Sequence, residues 1–189
     1  MNNFNIYEHE DMFRDMLRCE DLCRAYNAIP SDEIEIRMDY LKHIFGKVNG
    51  QFVILSPFKC SLGYNIEIGD NVTFNSNVSI LDGGKVKIGN NVLIGTNSVL
   101  SCSGHSVDPK RRKEGFGYIN SITIEDNVYI GAGVIIVCSE TRNITIGRDS
   151  VIGAGTVVTR DIPAGVLAVG NPARIVREMG TIDAREQEK

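Results

Sequence analysis

The 189-residue chain has no tryptophan, three histidines and only 7% aromatic residues. So few rings offer little surface for stacking nucleobases. Positive charge is not in excess either. Twenty basic residues face 24 acidic ones, for a net charge of -4, which excludes a general polyanion-binding field. No apolar run is long enough to span a bilayer. The opening MNNFNIYEHED lacks the basic and apolar regions of a secretory signal. The five cysteines (Cys19, Cys23, Cys60, Cys102 and Cys138) are odd in number and form no C-x-x-C. Reduced thiols in a cytoplasmic protein are the expectation. With three histidines to complete a ligand set, neither a zinc site nor any other metal site is expected.

What the chain does have is a rhythm. From Ile68 it reads IGDNVT, FNSNVS, IL; from Ile88, IGNNVL, IGTNSV, L; from Ile124, IEDNVY, IGAGVI, I; from Ile146, IGRDSV, IGAGTV, V. Large apolar residues recur every six positions: Ile68, Phe74, Ile80; Ile88, Ile94, Leu100; Ile124, Ile130, Ile136; Ile146, Ile152, Val158. Six fits neither a helix nor a long strand. It fits a short strand followed by a tight turn, with Asn, Asp and Gly where the backbone turns left-handed. Stacked units of this kind form a parallel β-helix with rungs about 4.8 Å apart. A β-sandwich would space its strands without a fixed phase.

The rhythm slips at Asp82-Gly83-Gly84 and at Ser139 to Arg142, which reads SETR. It breaks between Leu100 and Ile124, where SCSGHSVDPKRRKEG intervenes. Loops on a rigid coil are where function concentrates, and this one carries His105, the only histidine of the coil region.

Ahead of the coil, Met12, Phe13, Met16, Leu17, Cys19, Leu22, Cys23 and Tyr26 recur at helical spacing until Pro30 breaks the pattern. Asp32 and Glu35 have capping-box spacing. Ile34, Met38, Leu41, Ile44 and Phe45 form the face of a second helix ending near Gly46. Both faces are expected to be core or interface. The expected division is a helical segment over 1–57, a coil over 58–170 with a loop over 103–120, and a tail over 171–189. In that tail Arg174 to Met179 adds a short segment and TIDAREQEK frays.

The IGDNV and IGAG units, GHSVDPKRRKEG, and VIGAGTVVTRDIPAGVLAVGNPARIVRE together resemble the maltose/galactoside O-acetyltransferases of the hexapeptide-repeat superfamily. The resemblance runs from about Asp11 to Met179 and is strongest from Gly63 onward. It implies a left-handed parallel β-helix of triangular cross-section, against the usual right-handed crossover rule. It also implies a homotrimer with active sites between subunits, acetyl-CoA as acyl donor, and a sugar-like hydroxyl as acceptor.

An alcohol must lose its proton as its bond to the acetyl carbon forms, and imidazole suits that task. The resemblance makes His105 the general base in a direct transfer within a ternary complex. The rival is an acetyl-enzyme on Cys102, although a small buried filler is the more ordinary role for such a thiol. Asn75 matches an asparagine that contacts the acceptor and assists the transition state. Ser61 and Asp82 match acceptor contacts, and some relatives place the acid one position later, at Gly83. Ala132 and Ala154 leave room for the pantetheine arm of CoA. Thr159 and Arg160 match a Thr-Lys pair, and Arg174 and Arg177 match basic residues near the nucleotide phosphates, where a guanidinium clamps two oxygens. Lys110 to Lys113 is either a donor or acceptor contact or a solvated loop face.

The chain departs from the family in three places. No acid near Tyr7-Glu8 matches the N-terminal acceptor contact, Tyr129 replaces a Trp, and SETR replaces a tight Pro-Gly turn. A γ-class carbonic anhydrase shares such a coil but needs more histidines. An N-acetyltransferase for an amino sugar, a xenobiotic acetyltransferase and an inactive binding solenoid are the remaining alternatives.

Overall fold

A computed structural model of the chain describes residues 4–180. TIDAREQEK lies outside the described residues. The repeats wind into a coil with three parallel faces. One face stacks Lys47–Val48, Ile66–Ile68, Val86–Ile88, Ile122–Ile124 and Ile144–Ile146. The second stacks Phe52–Ile54, Val72–Phe74, Leu93–Ile94, Tyr129–Ile130, Val151–Ile152 and Val166–Val169. The third stacks Phe58–Cys60, Val78–Leu81, Val99–Ser101, Ile135–Val137 and Val157–Val158.

The register explains the six-residue rhythm. Ile68, Ile88, Ile124 and Ile146 pair in one column. Phe74, Ile94, Ile130 and Ile152 pair in a second, and Ile80, Leu100, Ile136 and Val158 in a third. Each of these side chains is at most 2% exposed, and full burial of one contributes about 1.5–3 kcal/mol. No rung encloses its own column, so the core exists only in the stack.

The corners explain the Asn and Asp positions. Asn71, Asn91, Asn127 and Asp149 all have φ between 54° and 59°, the left-handed region where an ordinary side chain is strained. They line up one above another and hydrogen-bond side chain to side chain at 2.8, 3.1 and 2.9 Å. Asn77 and Asn97 repeat the device at 2.6 Å on another corner.

The N-terminal segment forms α1 (Glu10–Ala28) and α2 (Ile34–Lys42). Buried Arg37 joins them: it donates to Tyr26 Oη at 2.8 Å and to the Ile29 carbonyl at 3.0 Å, and the Tyr26 hydroxyl donates to the Ile54 carbonyl on the coil. Asn27 clamps Phe58 through both its backbone groups at 2.9 Å.

Several expectations change. The capping box does not form: Glu33 occupies the cap of α2 without a side-chain bond, and its amide is taken instead by Pro30 O at 3.2 Å. α2 stops at Lys42, although Ile44 and Phe45 beyond it are buried. Parallel pairing begins at Lys47–Val48 and Phe52–Ile54, ahead of position 58, because these short segments complete the first turn under the helices. The stripe on α1 divides: Cys19, Cys23 and Tyr26 are buried, whereas Phe13, Met16 and Leu17 are exposed. In the tail, Arg174–Glu178 is a strand antiparallel to Val166–Val169. Among the described residues no helix is long and apolar enough to cross a membrane.

Asn91 sits inside the corner ladder with a bonded neighbour on each side. Asn91→Ala should destabilise the chain by about 1–2 kcal/mol through left-handed strain, plus the loss of those bonds. Asn91→Gly should recover the strain component. Urea unfolding of both variants separates the two effects, and equal midpoints for Ala and Gly would remove strain from the account.

Candidate active site

The break in the rhythm folds as a hairpin. Ser103–His105 pairs antiparallel with Phe116–Ile119, placing Gly104 opposite Tyr118 and His105 opposite Gly117. The strands are joined by α3 (Pro109–Lys113), with Pro109 in its first turn, where a missing amide costs nothing. Asp108 caps α3 by accepting the Lys110 and Arg111 amides at 2.8 and 3.0 Å. Phe4–Asn5 adds a third strand, and Asn5 Nδ2 donates to the Glu114 carbonyl at 3.1 Å.

Gly104 is required by its neighbour. A Cβ there would lie 2.6 Å from Tyr118 Oη. That tyrosine donates to the Cys138 carbonyl at 2.8 Å, tying the hairpin to the next rung. Ser106 is buried, and its amide bonds the Phe116 carbonyl at 3.0 Å. Arg112 donates to the Ser106 and Val107 carbonyls at 2.9 and 3.1 Å. The Arg111 guanidinium lies 4.6 Å above the Phe116 ring. Two members of the basic run therefore shape the loop, and Lys110 and Lys113 face outward.

SETR is the second anchor. Glu140 accepts the Val107 amide at 2.7 Å. The Ser106 hydroxyl and that amide hold its carboxyl below the usual glutamate range. His105 is exposed at the end of its strand. It opens on a cleft of about 610 Å³ shared with Ile6, Tyr7, His9, Met12 and Phe13.

The other expected residues are placed differently. Cys102 is fully buried, with Sγ 3.2–3.3 Å from Gly84 N, Leu81 O and Gly84 O. Burial pushes its thiol up to about 11. Asp82, expected to touch the acceptor, lies wholly inside the coil. Its Oδ1 accepts the Ser61 and Leu62 amides, both at 2.9 Å. Burial raises its carboxyl against the pull of those amides. Asp82 therefore positions Ser61, because the side chain points under the strand and not out of it. A Cβ on Gly83 would meet Ser103 Oγ at 2.4 Å, so this position is packed against the root of the loop. Ser61 is half-buried and lines a separate cleft; Phe13 and Met16 line both that cleft and the one at His105. Asn75 is exposed on a corner of the coil.

Ala132 and Ala154 are exposed and stacked on one corner, where the Gly155 amide bonds the Ala132 carbonyl at 2.8 Å. The same column continues to Thr96, whose carbonyl takes the Gly133 amide at 2.8 Å. Thr159 is half-buried and Arg160 exposed, just past the strand Val157–Val158. The Ala173 amide bonds the Val157 carbonyl at 2.8 Å, which brings Arg174 beside that strand. Arg174 donates to the Ala173 carbonyl at 2.9 Å. Arg177 is half-buried on the same closing strand.

Sequence reasoning missed Glu140, Tyr118 and Asn5 as supports of the histidine. The visible signal was the second phase slip, which supplies Glu140. Because the Glu140 carboxyl titrates below its ordinary value near about 4.3, its anchoring is complete above that pH and is lost as pH falls through the lowered value. Glu140→Ala should accelerate amide exchange over 106–114 by roughly tenfold at neutral pH, with coil amides unchanged. Equal protection in the two proteins would mean that Glu140 does not hold the loop.

The chain matches the maltose acetyltransferase hexapeptide capping motif over residues 6–50 and the hexapeptide repeat of succinyl-transferase over 85–107 and 121–160. It is 42% identical over 167 residues to the galactoside O-acetyltransferase of Escherichia coli K12, covering 88% of this chain and 80% of that one. The crystal structure of a maltose O-acetyltransferase from Clostridium difficile 630 superposes with a TM-score of 0.85 at 39% identity, over 90% of this chain and 89% of that one. A galactoside acetyltransferase in complex with coenzyme A superposes with a TM-score of 0.84 at 40% identity, over 94% and 86% of the two chains. The chain belongs to the maltose/galactoside O-acetyltransferase family of hexapeptide-repeat acyltransferases, and its coil is the left-handed parallel β-helix of that family.

Proposed function

We propose that this chain is an acetyl-CoA-dependent O-acetyltransferase that acts by direct transfer on a hydroxyl of a sugar or sugar-like acceptor, with His105 as general base. One observation carries the reading. His105 is exposed on a hairpin fastened at several points, whereas the alternative nucleophile, Cys102, is sealed inside the coil as a thiol.

The imidazole takes the acceptor's hydroxyl proton as the oxygen bonds to the thioester carbon. The tetrahedral intermediate then collapses, the carbon–sulfur bond breaks, and the departing thiolate recovers the proton from the imidazolium. Holding both substrates together supplies much of the advantage, and donors aimed at the developing oxyanion supply more. Asn75 is assigned to that stabilisation and to the acceptor, with Ser61 as a second acceptor contact. Asp82 acts through Ser61.

The donor is assigned to the column of Ala132 and Ala154, where small exposed residues leave room for a thin chain. Thr159, Arg160, Arg174 and Arg177 lie toward its phosphate-bearing end. Arg160 in place of Lys keeps the charge and offers a planar fork. His105 and Ser61 face separate clefts of one chain, which favours a homotrimer in which a neighbouring copy completes each site. The exposed Phe13, Met16 and Leu17 beside these clefts are consistent with that neighbour.

The test is acceptor-dependent release of CoA thiol across galactosides, glucosides, maltose and amino sugars. His105→Ala should lower the rate by about 10²–10⁴-fold, and Cys102→Ala should leave the chemical step intact. Equal rates for native protein and His105→Ala would remove the base. Loss of activity in a folded Cys102→Ala would move the chemistry to sulfur. Light scattering that shows a monomer would remove the shared site.

A further inference from the structure

The fold brings together a set of side chains that the transfer reaction does not use. Cys19 and Cys23 are four residues apart on α1 and so share one face. That face packs on Phe58–Cys60, and the three sulfurs converge. Cys60 Sγ lies 3.5 Å from Cys19 Sγ and 3.6 Å from Cys23 Sγ, and all three atoms fall within 4.8 Å of one another. Cys19 and Cys23 are buried and Cys60 is half-buried. None of the five cysteines is in a disulfide.

The supports are rigid on both sides. One turn beyond Cys23, Asn27 clamps Phe58 through its amide and carbonyl, and Tyr26 bonds the neighbouring strand. The register of helix on strand is therefore fixed next to the sulfurs. A metal–sulfur bond of about 2.3 Å in a trigonal or tetrahedral array sets its sulfurs about 3.8–4.0 Å apart. The two spacings to Cys60 meet that requirement with shifts of a few tenths of an ångström, and the Cys19–Cys23 spacing lies within 4.8 Å. The cluster is three sulfurs with no imidazole or carboxylate among them, which selects soft cations over magnesium or calcium. A way in exists: Cys23 and Cys60 line a cleft of about 600 Å³ with Glu20, Arg24, Lys59 and Ser61. Lys59 offsets part of the negative charge of a thiolate set.

We propose that Cys19, Cys23 and Cys60 form a binding site for one soft d¹⁰ cation of the copper(I), zinc(II) and cadmium(II) class. Binding replaces three S–H bonds by three metal–sulfur bonds and releases three protons to solvent, with no change of oxidation state. Cys60 immediately precedes Ser61, so a loaded site would stiffen the joint where the helical segment meets the acceptor side of the coil.

Cadmium(II) alone is the probe, titrated into the reduced, metal-free full chain while ultraviolet sulfur-to-metal charge transfer is followed. The expected result is saturation at one cadmium per chain, with Cys138→Ser, a buried thiol outside the cluster, behaving as native. Cys60→Ser should weaken binding by about 100-fold or more, beyond what loss of a mere supporting contact costs. No saturable band, equal affinity in Cys60→Ser, or formation of a disulfide in place of metal binding would overturn the site. If Cys60→Ser does not fold, cadmium X-ray absorption on the native chain decides: three sulfur neighbours support the proposal, and a nitrogen and oxygen shell sinks it.

Discussion

A single rung of this coil has no inside. Its aliphatic residue is shielded only by the rungs above and below, and everything else in the molecule depends on that stacking. It demands that every rung repeat the same register, so Ile68, Ile88, Ile124 and Ile146 stand in one column despite unequal lengths of chain between them. Extra residues are tolerated only if they leave the wall at one corner and return to it. The histidine hairpin and SETR are two such departures, on rungs that pair with each other.

That arrangement gives the histidine its setting. The coil supplies a rigid wall, and three contacts tie the loop to it or to the N-terminal strand. Tyr118 reaches the next rung, Glu140 reaches up from that rung, and Phe4–Asn5 closes the outer edge. Two arginines are folded into the loop, which limits what the basic run can offer a ligand. Cys102, three residues from the histidine, sits between the strands Val99–Ser101 and Ser103–His105 and is fully buried.

The coil was legible because its signal is periodic. Twelve apolar positions in phase favour a stacked coil over a sandwich, and each is buried; the hand came from the family resemblance. His105 stood out because it interrupts that period, and its proposed role came from the family resemblance. What was not legible arises where two non-periodic segments meet. Nothing local marks Glu140 as a partner of Val107, and Cys60 joins Cys19 and Cys23 only through the docking register of α1, which Asn27 sets. Asp82 was read as an acceptor contact because its position matches the family's acid; within the chain it is buried, and its Oδ1 takes the Ser61 and Leu62 amides. The capping-box pattern at Asp32 and Glu35 failed because the chain leaving Pro30 bonds its own turn first.

The corner ladder has a sense. Asn71 donates its amide to Asn91, Asn91 to Asn127, and Asn127 to Asp149. Asn91 and Asn127 both give and receive, whereas an ionised aspartate only receives. Asp149 is therefore a terminator: the relay can be lengthened by duplicating a rung ahead of it, but a copy added behind it would find no donor waiting. The next rung, Val166–Val169, stacks beyond that carboxylate through its backbone instead, with the Gly165 amide on the Arg148 carbonyl at 2.8 Å.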